Sequence, residues 1–148
     1  MERAPQTLVV DASVVAKWFV PEADSEKAVR LRNRHIDGSL NLMAPDLLLY
    51  EVANALVYHP EIREEDISED MEALFAVDID LVSPSSELMT SIAEGARSRD
   101  LSVYDSSYLM LAEVVATNLV TADRGLYEKA KHTGQVLLLD ELDQKWMV

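Results

Sequence analysis

Short apolar runs alternate with amphipathic segments along the whole chain, and this alternation limits the possible folds more than any other feature of the sequence. Runs such as residues 8–10 are apolar throughout instead of at every second position, so a strand formed from one buries both of its faces. Strands of that kind occur in parallel sheets that helices cover on both sides. The pattern therefore predicts the α/β class, with a central parallel sheet in a three-layer α/β/α arrangement.

Prolines and glycines mark where the predicted helices end. Pro21 and Pro60 cannot continue a helix, and Gly38 follows the last residue of another helical pattern. Strands are predicted at residues 8–10, 40–43, 79–82, 118–121 and 136–139. Helices are predicted at residues 14–20, 24–36, 46–58, 66–77, 87–99, 104–117 and 125–132.

Length and composition indicate one globular domain over residues 1–148, with its motifs between about residues 7 and 140. Of the 148 residues 49% are hydrophobic, so the chain can bury a core without disulfides. Cysteine is absent, which excludes thiolate metal sites and cysteine nucleophiles and fits a reducing compartment. No signal-peptide core is evident, and no apolar run approaches the ~20 residues that span a bilayer. We therefore expect a cytoplasmic protein with no membrane partner.

The formal charge is strongly negative, because 13 lysines and arginines oppose 27 aspartates and glutamates to give −14. Such a surface repels nucleic acid, since phosphate binding normally depends on lysine and arginine. Bound metal, a basic protein partner or a local basic group can offset this repulsion. Arg30, Arg32, Arg34 and His35 could form such a group, although a solvated helix face is the simpler interpretation.

Two acidic residues follow predicted strands. Asp11 comes directly after the first strand, and Asp123 lies two residues beyond the strand at 118–121. The carboxyl ends of parallel strands meet at one edge of a sheet, which is where α/β proteins bind ligands. The sequence therefore predicts that these two carboxylates lie together.

Two further acids border the apolar stripes of predicted helices. Glu51 has Leu48 and Ala55 as neighbours one turn away on its helix. Asp105 opens another helix and shares a face with Tyr108. A charge beside an apolar stripe needs a partner, so we expect both acids to join the same site.

Four neighbouring carboxylates cannot all stay ionised without protons or cations between them. Two of them within ~4 Å repel by about 4 kcal/mol at an effective dielectric near 20. An oxygen-only ligand set suits Mg²⁺ or Mn²⁺, which can activate a water and stabilise charge on a phosphate. The sequence predicts a site for hydrolysis of phosphodiester bonds, with metal ligands and catalytic residues Asp11, Glu51, Asp105 and Asp123.

Each acid also has a purely structural explanation. Asp11 and Asp123 could be helix N-caps, and Asp105 could lie at a helix N-terminus because the helix dipole favours an acid there. Glu51 could be exposed at the edge of its helix. No single acid decides between the two interpretations, so the prediction depends on all four together.

Three polar residues are candidate supporting groups. Ser13 and Thr121 could hold a carboxylate or a water, although helix capping is the commoner role. Asn54 lies one turn after the glutamate and could reach the same site. Trp18 and Tyr108 are assigned to the core and not to a base-stacking platform.

Four segments of the chain resemble the motif blocks of PIN domains, particularly those of the VapC ribonuclease toxins. They occur in the family's order and read VVDASVVAKWFVPE at 9–22, APDLLLYEVANAL at 44–56, LSVYDSSYLMLAE at 101–113 and LVTADRGLYEKAK at 119–131. In this resemblance Asp11, Glu51, Asp105 and the more variable Asp123 match the family's acids, and Ser13 and Thr121 match its hydroxyl positions.

The resemblance implies a PIN-like fold whose acidic pocket binds Mg²⁺ or Mn²⁺ and cleaves RNA. It also implies a VapB-like antitoxin partner, which a charge of −14 suits, and a homodimer. One departure is the largely acidic segment at 59–66, where many relatives carry basic residues, so RNA binding there is in doubt.

Other classes fit the sequence less well. A haloacid dehalogenase phosphatase needs an aspartate where this chain has Ser13, and the four glycines are too scattered for a phosphate-binding loop. The remaining alternative is a binding module without nuclease activity, in which the acidic pocket docks a basic partner.

Overall fold

The computed structural model describes residues 5–143 and 146, and this part of the chain contains one five-stranded sheet. The strands are Gln6–Val10 (β1), Leu40–Pro45 (β2), Asp80–Val82 (β3), Leu119–Thr121 (β4) and Val136–Leu138 (β5). Their spatial order is β3-β2-β1-β4-β5, and every neighbouring pair is parallel. All five predicted strands are present, with ends that shift by no more than two residues.

Helices surround the sheet in the described residues. They are Ala12–Val15 (α1), Ser25–Ile36 (α2), Leu47–Val57 (α3), Glu64–Val77 (α4), Ser86–Arg99 (α5), Val103–Val114 (α6) and Arg124–Ala130 (α7). Helix α6 packs against β1 and β2, α2 against β2, and α7 against β4 and β5. The prediction of a three-layer α/β/α fold with a central parallel sheet is confirmed.

The centre of the sheet forms the core because its strands are apolar on both faces. Leu8, Val9 and Val10 of β1 have no exposed surface, and the same holds for Leu119 and Val120 of β4. These two strands are neighbours, and their carboxyl ends lie side by side. The residues that follow them are therefore brought to the same edge of the sheet.

Two predicted helices differ from the structure by three residues or more at one end, and the other helix ends shift by no more than two residues. The helix predicted at 14–20 begins at Ala12, because Asp11 caps it, and continues as a 3₁₀ turn over Ala16–Trp18. The helix predicted at 104–117 ends at Val114, since Ala116 adopts a left-handed conformation with φ of 56°.

The basic residues of α2 are only partly a solvated face. Arg30 is exposed and pairs with Glu26. Arg34, by contrast, donates hydrogen bonds to the hydroxyl and carbonyl oxygens of Ser39, and His35 Nδ1 accepts a bond from the N–H of Leu42. These side chains tie α2 to the start of β2.

None of the helices in the described residues is both long enough and apolar enough to cross a membrane.

Candidate active site

Asp11 is a buried carboxylate at the end of β1 and the N-cap of α1. Its Oδ1 accepts hydrogen bonds from the N–H of Ser13 at 3.1 Å, the N–H of Val14 at 3.3 Å and the Ser13 hydroxyl at 2.5 Å. Its Oδ2 accepts a bond from the Thr121 hydroxyl at 2.5 Å. The residue is only 6% exposed. Asp11 therefore does cap a helix, but capping alone does not explain why a charge is buried at the centre of the sheet edge.

The two predicted hydroxyl residues join the ends of β1 and β4. Ser13 Oγ accepts a bond from the N–H of Ala122 at 2.9 Å, and Thr121 Oγ1 accepts one from the N–H of Asp123 at 3.0 Å. The two hydroxyl oxygens are 3.4 Å apart. Each hydroxyl thus donates to Asp11 and accepts from the backbone after β4, which holds the carboxylate in one orientation.

Asp123 lies at the same edge of the sheet and is exposed. It caps α7, because its Oδ1 accepts bonds from the N–H of Gly125 at 2.8 Å and the N–H of Leu126 at 3.2 Å. Both of these bonds use the same oxygen. The prediction that Asp11 and Asp123 emerge at one sheet edge matches the structure.

Glu51 on α3 is half-buried and has a partner that the sequence did not reveal. The hydroxyl of Tyr108 on α6 donates to Glu51 Oε1 at 2.5 Å. Tyr108 is only 1% exposed, so the prediction that it belongs to the core is correct, but its hydroxyl also reaches the acidic site. The one sign of this contact in the sequence is that the core position one turn after Asp105 is a tyrosine, which has a hydroxyl to donate, and not a phenylalanine.

Asp105 lies in the first turn of α6 and is half-buried. The cap of this helix is Ser102, whose hydroxyl accepts a bond from the N–H of Asp105 at 3.0 Å. The side chain of Asp105 is thus not needed as the helix cap, which leaves its carboxylate for another role.

Burial and neighbouring carboxylates raise the pKa values of three of the acids. Burial raises the pKa of Asp11 to about 6, against hydrogen bonds from Ser13 and Thr121 that lower it, and the charge of Asp123 raises it further. Burial also raises the pKa of Glu51, with a smaller contribution in the same direction from Asp105. The pKa of Asp105 is raised by burial and then by Asp123. These couplings link all four carboxylates into one acidic site.

The donor set fits a divalent cation in its chemistry. It offers only carboxylate oxygens, and the pKa values of three of its acids are raised, so a positive charge would relieve both burial and repulsion. Yet among residues 5–143 and 146 no group of three acids or histidines is arranged to hold a metal ion. In this arrangement the protein's own hydrogen bonds use both oxygens of Asp11 and one of Glu51.

A cleft of about 510 Å³ opens beside Glu51. Asn54, the third predicted supporting residue, is exposed on its wall, one turn along α3 from the glutamate. Two exposed tyrosines also line the cleft, and sequence reasoning did not identify either of them. The complete lining is Leu47, Tyr50, Glu51, Asn54, Ala55 and Tyr104.

Comparison with known proteins places this chain in a family. The model of the PIN domain family matches residues 8–132. Ribonuclease VapC3 from Pyrobaculum aerophilum is 37% identical over 126 residues, which cover 82% of this chain and 93% of that protein.

Solved structures share the fold at lower identity. PAE2754 from Pyrobaculum aerophilum has a TM-score of 0.63 and 22% identity, over 93% of this chain and 91% of its own. FitAB, solved bound to an IR36 DNA fragment, has a TM-score of 0.61 and 15% identity, over 93% and 98% of the two chains. FitAcB from Neisseria gonorrhoeae has a TM-score of 0.57 and 16% identity, over 91% and 99%. With the family match and the VapC3 relative, these findings show that the chain is a VapC-like member of the PIN-domain family.

Proposed function

We propose that this protein is an endoribonuclease that depends on Mg²⁺ or Mn²⁺ and acts as the toxin of a VapBC-type pair. The observation that carries the proposal is the buried Asp11, whose pKa is raised to about 6 by burial and further by the charge of Asp123, which also raises the pKa of Asp105. Proteins rarely bury a carboxylate among other carboxylates unless the site has a use for the charge. The 37% identity to Ribonuclease VapC3 supports RNA as the substrate.

Each residue of the site has a proposed role. Asp11 and Asp105 would be the principal ligands, Glu51 a ligand oriented by Tyr108, and Asp123 a ligand that acts through a water or a second ion. When bound, the ion supplies positive charge opposite the phosphate and lowers the pKa of a coordinated water. Ser13 and Thr121 hold Asp11 in place, while Asn54 faces the substrate cleft.

Cleavage of a labelled single-stranded RNA tests the proposal. The wild-type protein should cut with Mg²⁺ or Mn²⁺ and stop in chelator, and both Asp11→Asn and Asp105→Asn should lose at least about 100-fold in rate. Asp78→Asn is a matched control, because Asp78 is exposed and precedes β3 at the opposite edge of the sheet. If the two site variants fold and cut as fast as this control, the proposed mechanism is wrong.

A binding module without nuclease activity is the second candidate. Two observations favour it: no group of three acids or histidines in the described residues is arranged to hold a metal ion, and the formal charge of the protein is −14. In that case Mn²⁺ should neither shift the melting temperature of the protein nor cause cleavage of the RNA. A basic peptide such as octa-arginine should still bind. Binding of both metal and peptide is what we expect of a toxin whose antitoxin covers the acidic pocket.

We also propose a homodimer, as the family resemblance suggests. An apolar cavity of about 190 Å³ lies between α5, α6 and the ends of β2 and β3, and its walls include Leu88, Met89 and Val103. Met89 and Val103 are exposed. Sedimentation of the wild type should give a dimer, whereas Met89→Glu should give a monomer if this surface forms the contact.

A further inference from the structure

Two exposed tyrosines stand directly beside two of the acids. Tyr50 precedes Glu51 on α3 and is 78% exposed, while Tyr104 precedes Asp105 on α6 and is 59% exposed. We propose that these two rings bind the bases of single-stranded RNA by stacking, next to the phosphate that is cleaved. This inference rests on the proposed ribonuclease function and identifies residues that would bind the substrate.

The first argument is position. Both rings line the same cleft of about 510 Å³, together with Glu51 and Asn54. A strand of RNA whose phosphate reaches Glu51, the acid that lines this cleft, would pass its neighbouring bases along this wall. The exposed amide of Asn54 adds a hydrogen-bond donor and an acceptor of the kind that base edges pair with.

The second argument is that neither ring has a structural task. In the described part of the chain the side chains of Tyr50 and Tyr104 form no hydrogen bond and no ring contact, unlike Tyr108, whose hydroxyl donates to Glu51. The hydrogen bond that the Ser107 hydroxyl donates to Tyr104 ends on the backbone carbonyl and does not involve the ring. Their exposed rings contribute little to the core. Substitution of either tyrosine should thus leave the fold intact, which makes their role testable.

The third argument is electrostatic. A protein with a charge of −14 cannot draw much affinity for RNA from long-range attraction to phosphates. Stacking of a base on an aromatic ring needs no net charge and accepts any base, provided that the base is not already paired. Aromatic rings beside the acids would supply the affinity that the net charge does not, and they favour single-stranded substrates.

The test uses steady-state kinetics of the full-length protein on a labelled single-stranded RNA. Tyr50→Leu and Tyr104→Leu should each raise KM about 10-fold and leave kcat within about 2-fold, which is the size expected for one stacked base. Trp at either position should restore KM. Tyr58→Leu is the matched control, because Tyr58 is 79% exposed at the end of α3 but does not line the cleft.

Substrates that lack one base at a time give a sharper readout. For the wild type, an abasic site at the stacked position should raise KM about as much as the tyrosine substitution does. For Tyr50→Leu or Tyr104→Leu, the same abasic site should add little, because the contact is already lost. If, at every position of the RNA, the abasic site and the tyrosine substitution together raise KM by the product of their separate effects, the proposal is overturned.

The remaining outcomes also separate the hypotheses. A wild type that cuts RNA while both leucine variants keep its KM would overturn base stacking but leave the ribonuclease function standing. The same conclusion holds if the leucine variants lower kcat alone, since the rings would then take part in the chemistry. It also holds if the leucine variants keep KM but are inhibited less by octa-arginine than the wild type, since the rings would then bind a protein partner. A wild type that cuts no RNA with either metal would remove both proposals together.

Discussion

The hydroxyl of Tyr108 donates a 2.5 Å hydrogen bond to Oε1 of Glu51 and so connects the core of α6 to an acid on α3. Burial raises the pKa of the tyrosine, and the hydrogen bond to Glu51 and the charge of Glu51 raise it further, which keeps the hydroxyl a donor throughout the physiological range. The bond in turn lowers the pKa of Glu51 against the effect of burial. Tyr108 therefore helps to keep Glu51 ionised and fixed in direction.

Tyr108→Phe removes this bond without changing the packing of the ring. If Glu51 is a metal ligand, as proposed above, kcat/KM should fall by about 10- to 100-fold, because residues that orient a metal ligand have effects of this size. The free energy of unfolding should change by less than about 1.5 kcal/mol. In a Glu51→Gln background the same substitution should cost little further activity, and equal losses in both backgrounds would show that Tyr108 acts in some other way.

The raised pKa of Asp11 predicts how stability depends on pH. The folded protein holds this proton up to pH about 6, whereas the unfolded chain releases it near the ordinary aspartate pKa of 3.8. The folded state therefore binds more protons between these values, and the free energy of unfolding falls as pH rises through that window. At about 1.4 kcal/mol per pKa unit, the loss is about 3 kcal/mol above pH 6.

Urea unfolding of the wild type and of Asp11→Asn in chelator measures this loss. The asparagine variant lacks the titration, so its stability relative to the wild type should increase from pH 4 to pH 7 by about 3 kcal/mol. A difference that stays constant over this range would mean that Asp11 is not buried as a charged group.

Thr121→Val tests the connection between β1 and β4. The substitution keeps the shape of the side chain but removes the donor to Asp11 Oδ2 and the acceptor for the N–H of Asp123. We expect the free energy of unfolding to fall by about 1–3 kcal/mol. Because this hydrogen bond lowers the pKa of Asp11, its loss should also move the acid limb of the pH–rate profile to higher pH.

Thr90→Val is the control for that experiment, since Thr90 is exposed on α5 and its hydroxyl binds only the carbonyl of Ser86. It should leave both stability and the pH–rate profile unchanged. If the two threonine variants behave alike, the hydroxyl of Thr121 does not position Asp11.

Asp105→Asn removes one of the mutually repelling charges. Burial and Asp123 both raise the pKa of Asp105, so its ionised form is unfavourable, and the variant should melt at a higher temperature in chelator at pH 7. The gain should be below about 1 kcal/mol because the group is half-exposed. Mn²⁺ at about 100 times its Kd should stabilise the wild type by about 2.7 kcal/mol and the variant by less. A variant less stable than the wild type without metal would contradict the repulsion argument.

The sheet and its edge could be predicted because the chemistry is local. An apolar run predicts a buried strand, and an acid after the run marks where the strand ends at the edge of the sheet, as at Asp11 and near Asp123. The ends of helices were less certain, because a cap such as Asp11 or a left-handed residue such as Ala116 changes where a helix begins or ends. The limits of the domain stay a prediction.

Contacts between distant helices could not be predicted. The bond from Tyr108 to Glu51 joins residues 57 apart, and it depends on how α3 and α6 pack against the sheet. The exposure of Tyr50 and Tyr104 likewise follows from that packing and not from their neighbours in the chain. The sequence indicated which acids converge, while their hydrogen-bond partners and the lining of the cleft required the structure.

The hydrogen bond between Thr121 and Asp11 also bears on the order in which the protein is synthesised. The two residues are 110 positions apart, so β4 takes its place beside β1 only after residue 121 has been added. A nascent chain that stops before β4 has Asp11 but neither Thr121 nor Asp123, and one side of β1 lacks its neighbour. A chain on the ribosome therefore completes the hydrogen bonds of Asp11 only after β4 has been synthesised.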